Sequence, residues 1–152
     1  MTDATFQDGD EKPLRLKAFE ANDLQVISSL VQDAVFPVGE MSWIPSQRRF
    51  ALLLNRFRWE DDRATPERVQ SVLAFEDVLG VQSQGVDRKD KDVVLSVLAV
   101  EFKAGEDGTG LVELTLAGDG AVGLRVEALE ATLRDVTKPY AAPSKKAPSH
   151  DI

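Results

Sequence analysis

The chain contains no cysteine among its 152 residues and a single histidine, His150. The first absence excludes disulfides, thiolate metal sites and thiol catalysis. The second leaves a Ser-His triad without a structured base, because His150 lies in KPYAAPSKKAPSHDI, whose Pro, Ala, Ser and Lys content predicts a loose tail. Positive charge is also in short supply: 18 Lys and Arg face 26 Asp and Glu, for a net charge of -8. That balance opposes nucleic-acid binding, which needs a dense positive face, and adhesion to anionic membrane surfaces. No apolar run approaches the roughly 20 residues of a membrane-spanning helix. The opening MTDATFQDGDEK is polar and acidic, the reverse of a secretory leader, so a cytoplasmic location is expected.

What remains is ordinary globular material, 43% hydrophobic and 29% charged. Its length fits one domain. The expected organisation is a flexible tail over 1–12, a single globular domain over 13–137 and a second flexible tail over 138–152. LRLKAF (14–19) reads as a short strand. NDLQVISSLVQD (22–33) reads as a helix, with Leu24, Ile27, Leu30 and Val31 on one face and Asn22 with Gln25 as a capping box. From there to residue 126 strands dominate: an irregular edge at VFPVGEMSWI, then RRFALLLNRFRW, RVQSVLAF and LGVQSQGV around the acidic corner Glu76-Asp77. VVLSVLAVEF, apolar at nearly every position, reads as buried on both faces. GEDGTG and GDG predict hairpin turns. A closing helix is expected over roughly 127–137, from Leu129, Leu133 and Val136, with Glu130 and Arg134 spaced i, i+4. The class is therefore α+β: a mostly antiparallel sheet or partly open barrel with one helix near the start and one closing the C-terminal end.

Several short matches dissolve on inspection. GDGAVG (118–123) satisfies G-x-G-x-x-G, but Val122, Leu124 and Val126 continue a period-two face, so the glycines belong to a hairpin and not to a dinucleotide loop. GVQSQG has the wrong spacing for a nucleophile elbow. Asp87, Asp90 and Asp92 lack the glycine and terminal glutamate of a calcium loop and alternate with Arg88, Lys89 and Lys91. No cofactor or metal is expected.

The arginines carry the remaining interest. Arg48, Arg49, Arg56, Arg58, Arg63 and Arg68 crowd one stretch. By strand alternation Arg56 and Arg58 continue the face of Phe50, Leu52 and Leu54. They either form a guanidinium fork for a carboxylate or phosphate, with Trp59 beside them and Trp43 nearby, or pair with Glu60, Asp61, Asp62 or acids on a neighbouring strand.

The blocks LRLKAFEANDLQVISSLVQDAV, RRFALLLNRFRW, LAFEDVLGVQSQGVDR and LSVLAVEF resemble an uncharacterised family, domain-of-unknown-function number 2948, found mainly in alphaproteobacteria. The resemblance spans Leu14 to Thr137 and implies no activity and no functional residue. VLAFEDVLGV is similar to the strand and acidic corner of pleckstrin-homology-like barrels, which end in a helix over one mouth. That likeness implies, by fold analogy alone, binding of a protein or a head group. Taken together, the expected function is a non-enzymatic cytoplasmic interaction domain contacting a protein partner or self-associating. The alternatives are a small-anion site at Arg56, Arg58 and Trp59, and a carboxylate-dependent enzyme.

Overall fold

Runs of alternating apolar and polar residues make strands of most of the chain. The computed structural model describes residues 13–60 and 66–141. Its elements are β1 (Arg15–Ala18), α1 (Ala21–Leu30), β2 (Val35–Pro37), β3 (Met41–Ile44), β4 (Arg49–Phe57), β5 (Glu67–Phe75), β6 (Val78–Gln84), β7 (Val94–Ala104), β8 (Gly110–Leu116), β9 (Ala121–Val126), β10 (Ala131–Asp135) and β11 (Tyr140–Ala141). The strands form one antiparallel, open sheet in the order β1-β10-β5-β4-β2-β7-β8-β9-β6, with β3 beside β4 and β11 beside β5.

Two corners fold this sheet over its own core. Asp77 takes φ 56° between β5 and β6, a left-handed conformation that Asp tolerates better than most residues. Beside it runs the β9–β10 connection: the Glu76 N–H donates to Glu130 O (3.0 Å) and the Glu127 N–H to Asp77 O (2.9 Å). The β5–β10 ladder is thereby carried round into the β6–β9 ladder. Phe50, Leu52 and Leu54 of β4, Leu73 and Phe75 of β5, Leu114 of β8 and Leu124 of β9 meet in one buried cluster. Each contributes about 1.5–3 kcal/mol by leaving water.

Helix α1 caps this core with Leu24, Ile27 and, just past its end, Val31. Its first turn begins earlier than the capping pattern predicts. Leu24 N–H donates to Glu20 O, Glu20 is the N-cap, and no side chain caps the turn, so the Asn22–Gln25 box does not form. The Ser28 hydroxyl accepts the Val100 N–H at 2.8 Å, close to the bulge of β7 between Val97 and Ala99. Strand β7 is buried on one side only: Val97 and Val100 are enclosed, whereas Val94 and Leu98 face out.

The closing helix expected over 127–137 is instead strand β10. Ala131, Leu133 and Asp135 point inward at period two, and β10 is paired on both sides, Leu133 standing between Leu16 of β1 and Leu73 of β5. Thr132 is β-branched, which favours the pleated form once two strands offer hydrogen bonds. With this helix goes the element that would cover the mouth of a pleckstrin-homology-like barrel. Ordered structure also runs past residue 137, since Tyr140 and Ala141 pair with Arg68 and Glu67. The tail expected at 1–12, and residues 142–152 of the one expected at 138–152, lie outside the described residues. Among those described, no helix is long and apolar enough to cross a membrane.

Candidate functional site

The alternation of β4 places Arg56 directly after Phe50, Leu52 and Leu54 on the inward face, where it is 0% exposed. A guanidinium so placed needs full compensation, because removing an ion from water costs several kcal/mol. Glu60 supplies it in fork geometry, with Nη1 to Oε1 at 2.9 Å and Nη2 to Oε2 at 2.8 Å. Asp135 Oδ1 accepts from Nη2 at 3.0 Å and from Nε at 3.2 Å. Ser71 Oγ accepts from Nε at 3.1 Å and donates its own proton to Asp135 Oδ1 at 2.6 Å. The second oxygen of Asp135 holds the Leu14 N–H at 2.9 Å, so the node ties β4, β5 and β10 to the chain entering β1.

Burial by itself weakens the hold of Arg56 on its proton, but the hydrogen bonds and charges of Glu60 and Asp135 outweigh it and raise the pKa above its ordinary value. Burial likewise pushes Glu60 upward, and the bonds from Arg56 more than reverse it, leaving the carboxyl below its ordinary 4.5.

The neighbouring candidates also have partners, though less completely than Arg56: among the described residues, Arg58 Nε is buried without a hydrogen bond. Arg58 is 7% exposed and binds Glu67 through Nη1 at 2.6 Å. Trp59 donates its indole N–H to Gln32 O at 3.0 Å and meets Phe57 edge to face at 4.8 Å. Arg48 pairs with Glu127, Arg49 with Glu76, and Arg68 with the Asn55 side chain. Arg63, Asp61 and Asp62 lie outside the described residues. The described arginines of this stretch each meet an acidic or amide partner, Glu60 serving both Arg56 and Arg58.

A different place has the shape of a binding site. Among the described residues, strand β3 is paired only with β4, and β6 only with β9. Between them is a cavity of about 250 Å³ with Met41, Trp43, Phe50, Val81 and Val122 in its walls and Arg88 and Lys91 alongside. Gly39 allows a close approach here: its N–H donates to Lys91 O, and a Cβ would come within 3.1 Å of the Lys91 Cβ, a tight contact. Two aspartates of the 87–92 loop bind its own backbone: Asp87 accepts the Lys89 N–H and Asp90 the Asp92 N–H. Arg88 and Lys91 form no ion pair among the described residues. Nor, among those residues, do three or more His, Asp or Glu converge as a metal would need.

A family model described as "Protein of unknown function (DUF2948)" matches residues 14–150. The chain belongs to the DUF2948 family. No curated protein and no solved structure matches it. Membership spans every described element and assigns no role to any residue, so the functional argument rests on geometry.

Sequence reasoning missed Asp135, assigned to a helix, and gave Arg88 and Lys91 no part in a site, although the exposed turn that carries them leaves them free to reach the cavity rim. One signal for Asp135 existed. It extends the apolar face of Ala131 and Leu133 at period two, as Arg56 extends that of β4, and two opposite charges each ending an apolar run are complementary.

Proposed function

We propose that this DUF2948 protein is a non-enzymatic interaction module, working in the cytoplasm, that takes an extended segment of a protein partner along β6. One apolar side chain of the segment enters the cavity beside Trp43, and an adjacent carboxylate meets Arg88 and Lys91. The carrying observation is the coincidence, among the described residues, of a strand edge without a partner strand and a partly apolar cavity flanked by two cations that form no ion pair there. Exposed edges are normally defended by charge or proline. Residues 78–86, VLGVQSQGV, contain neither, and among the described residues only the Val78 end is covered, by its N–H bond to Arg48 O. Strand addition of this kind draws affinity from main-chain hydrogen bonds and specificity from side-chain pockets. The volume also argues for a side chain: about 250 Å³ is below the ~300–1,000 Å³ of pockets that enclose whole ligands.

An anion held by Arg56 and Arg58 has less support, because their guanidinium groups already face Glu60, Asp135 and Glu67. The same commitment weakens a carboxylate-based enzyme at Glu60 and Asp135. A pleckstrin-homology-like architecture adds no support once its covering helix is replaced by β10.

The test is selection from a displayed library of linear heptapeptides, followed by titration of synthetic winners with Trp43 as the fluorescent reporter in a Trp59→Phe background. Winners should share an apolar residue next to an acidic one, and Arg88→Glu/Lys91→Glu should abolish binding while preserving the fold. Winners without that pattern, or binding indifferent to the charge reversal, would sink the reading.

A further inference from the structure

The outer face of the β1-β10-β5-β4 sheet carries a second concavity, separate from the β3–β6 opening. It is a trough of about 730 Å³. Register explains its shape: Thr132, Ala74 and Ala51 stand in one row across β10, β5 and β4, so the floor is low. Longer side chains rise on both sides of that row, with Arg15 and Arg134 on one and Arg49, Glu76 and Glu130 on the other.

Arg15 and Arg134 are direct cross-strand partners in the β1–β10 ladder. Residues so paired have Cβ atoms roughly 4.5–5.5 Å apart, and like charges there are destabilising. Both are exposed, and neither has an ion pair or side-chain hydrogen bond among the described residues. The opposite wall is balanced internally, Arg49 holding Glu76 at 3.0 Å and Lys17 lying 3.8 Å from Glu130. In a chain with eight more acidic than basic residues by formal charge, an arginine pair with no acidic partner among the described residues is the feature that asks for an external anion.

We infer that the trough binds a small phosphomonoester. Its phosphate sits between Arg15 and Arg134, its body lies over Ala51, Ala74 and Thr132, and its hydroxyl groups donate to Glu76 and Glu130. A carboxylate is satisfied by one guanidinium fork. Two guanidinium groups on adjacent cross-strand positions suit the three terminal oxygens and near-double charge of a phosphate. The volume falls within the ~300–1,000 Å³ of small-molecule sites. The carboxylates of Glu76 and Glu130 can accept from hydroxyl donors although Arg49 and Lys17 balance their charge, and the net charge of -8 favours a metabolite over a nucleic-acid backbone.

The experiment is amide-resolved NMR titration of the full chain with inorganic phosphate, ribose 5-phosphate and ribose, at constant ionic strength. Saturable shifts along β1 and β10 are expected with both phosphates and not with ribose, and ribose 5-phosphate should bind more tightly. Arg15→Gln/Arg134→Gln should weaken both phosphates by roughly tenfold or more, the scale of a lost charge-assisted hydrogen bond. Glu130→Gln should narrow only the gap between them. Removing one arginine should also raise the Tm of the ligand-free protein, which a structural role for the pair would not allow. Absence of saturable shifts at β1 and β10, or equal binding by the double variant, overturns the assignment. Because Arg88 and Lys91 are untouched, failure here and failure of peptide binding are separable.

Discussion

Replacing Arg56 by leucine isolates the cost of the buried node. The substitution removes the charge, keeps an apolar side chain on the inward face of β4, and strands Asp135, whose side chain is 4% exposed. Breaking a buried ion pair by deleting one partner costs about 3–5 kcal/mol, because the other charge stays desolvated. At roughly 2–4 °C per kcal/mol for a domain of this size, Tm should fall by about 6–20 °C. The fall should come with faster hydrogen exchange at Leu14, whose N–H depends on Asp135. The companion Arg56→Leu/Ser71→Ala/Asp135→Leu removes the whole buried set together. Apolar replacement of complete buried networks is often neutral or stabilising, so this variant should recover most of the loss, less about 1 kcal/mol for the Leu14 N–H left without its acceptor. Scanning calorimetry with urea denaturation measures both. A single variant that costs less than about 1 kcal/mol, or a triple variant as unstable as the single, would refute the node as a compensated buried charge.

Three further outcomes follow from other contacts. Glu60 has a folded pKa held below its ordinary 4.5, so its contribution is fully present above that value and is lost as pH falls through the depressed one; Tm measured from pH 7 to pH 3 should show the gap between native and Glu60→Gln closing at the acid end. Gly110→Ala would place a Cβ 2.5 Å from the Phe102 ring and 2.6 Å from Lys103 O, whereas at Gly80 the obstacle is the movable end of Arg125 at 2.6 Å; denaturation should find the first destabilising by about 1–3 kcal/mol and the second much less so. Ser28→Ala leaves the Val100 N–H without its acceptor, which should cost about 1–3 kcal/mol and appear as lost exchange protection at Val100.

The local pattern alone determined a good part of this protein. Period-two alternation in β4 placed Arg56 inward with Leu52 and Leu54, and helical spacing placed Leu24, Ile27 and Val31 on the buried face of α1. Asp119-Gly120 foretold the β8–β9 hairpin, where Gly118 and Asp119 take positive φ. Tertiary structure decided the rest. ALEATLRDV supports a helix through Leu129 and Leu133 and a strand through Ala131, Leu133 and Asp135, and only the free hydrogen-bonding edges of β1 and β5 choose between them. Asp135 reaches Arg56 across 79 positions, and the cavity collects residues from Val38 to Val122. Periodicity tells each segment which side to hide from water. It does not say which other segment will cover that side, and charge partners, open edges and cavities are properties of that second choice.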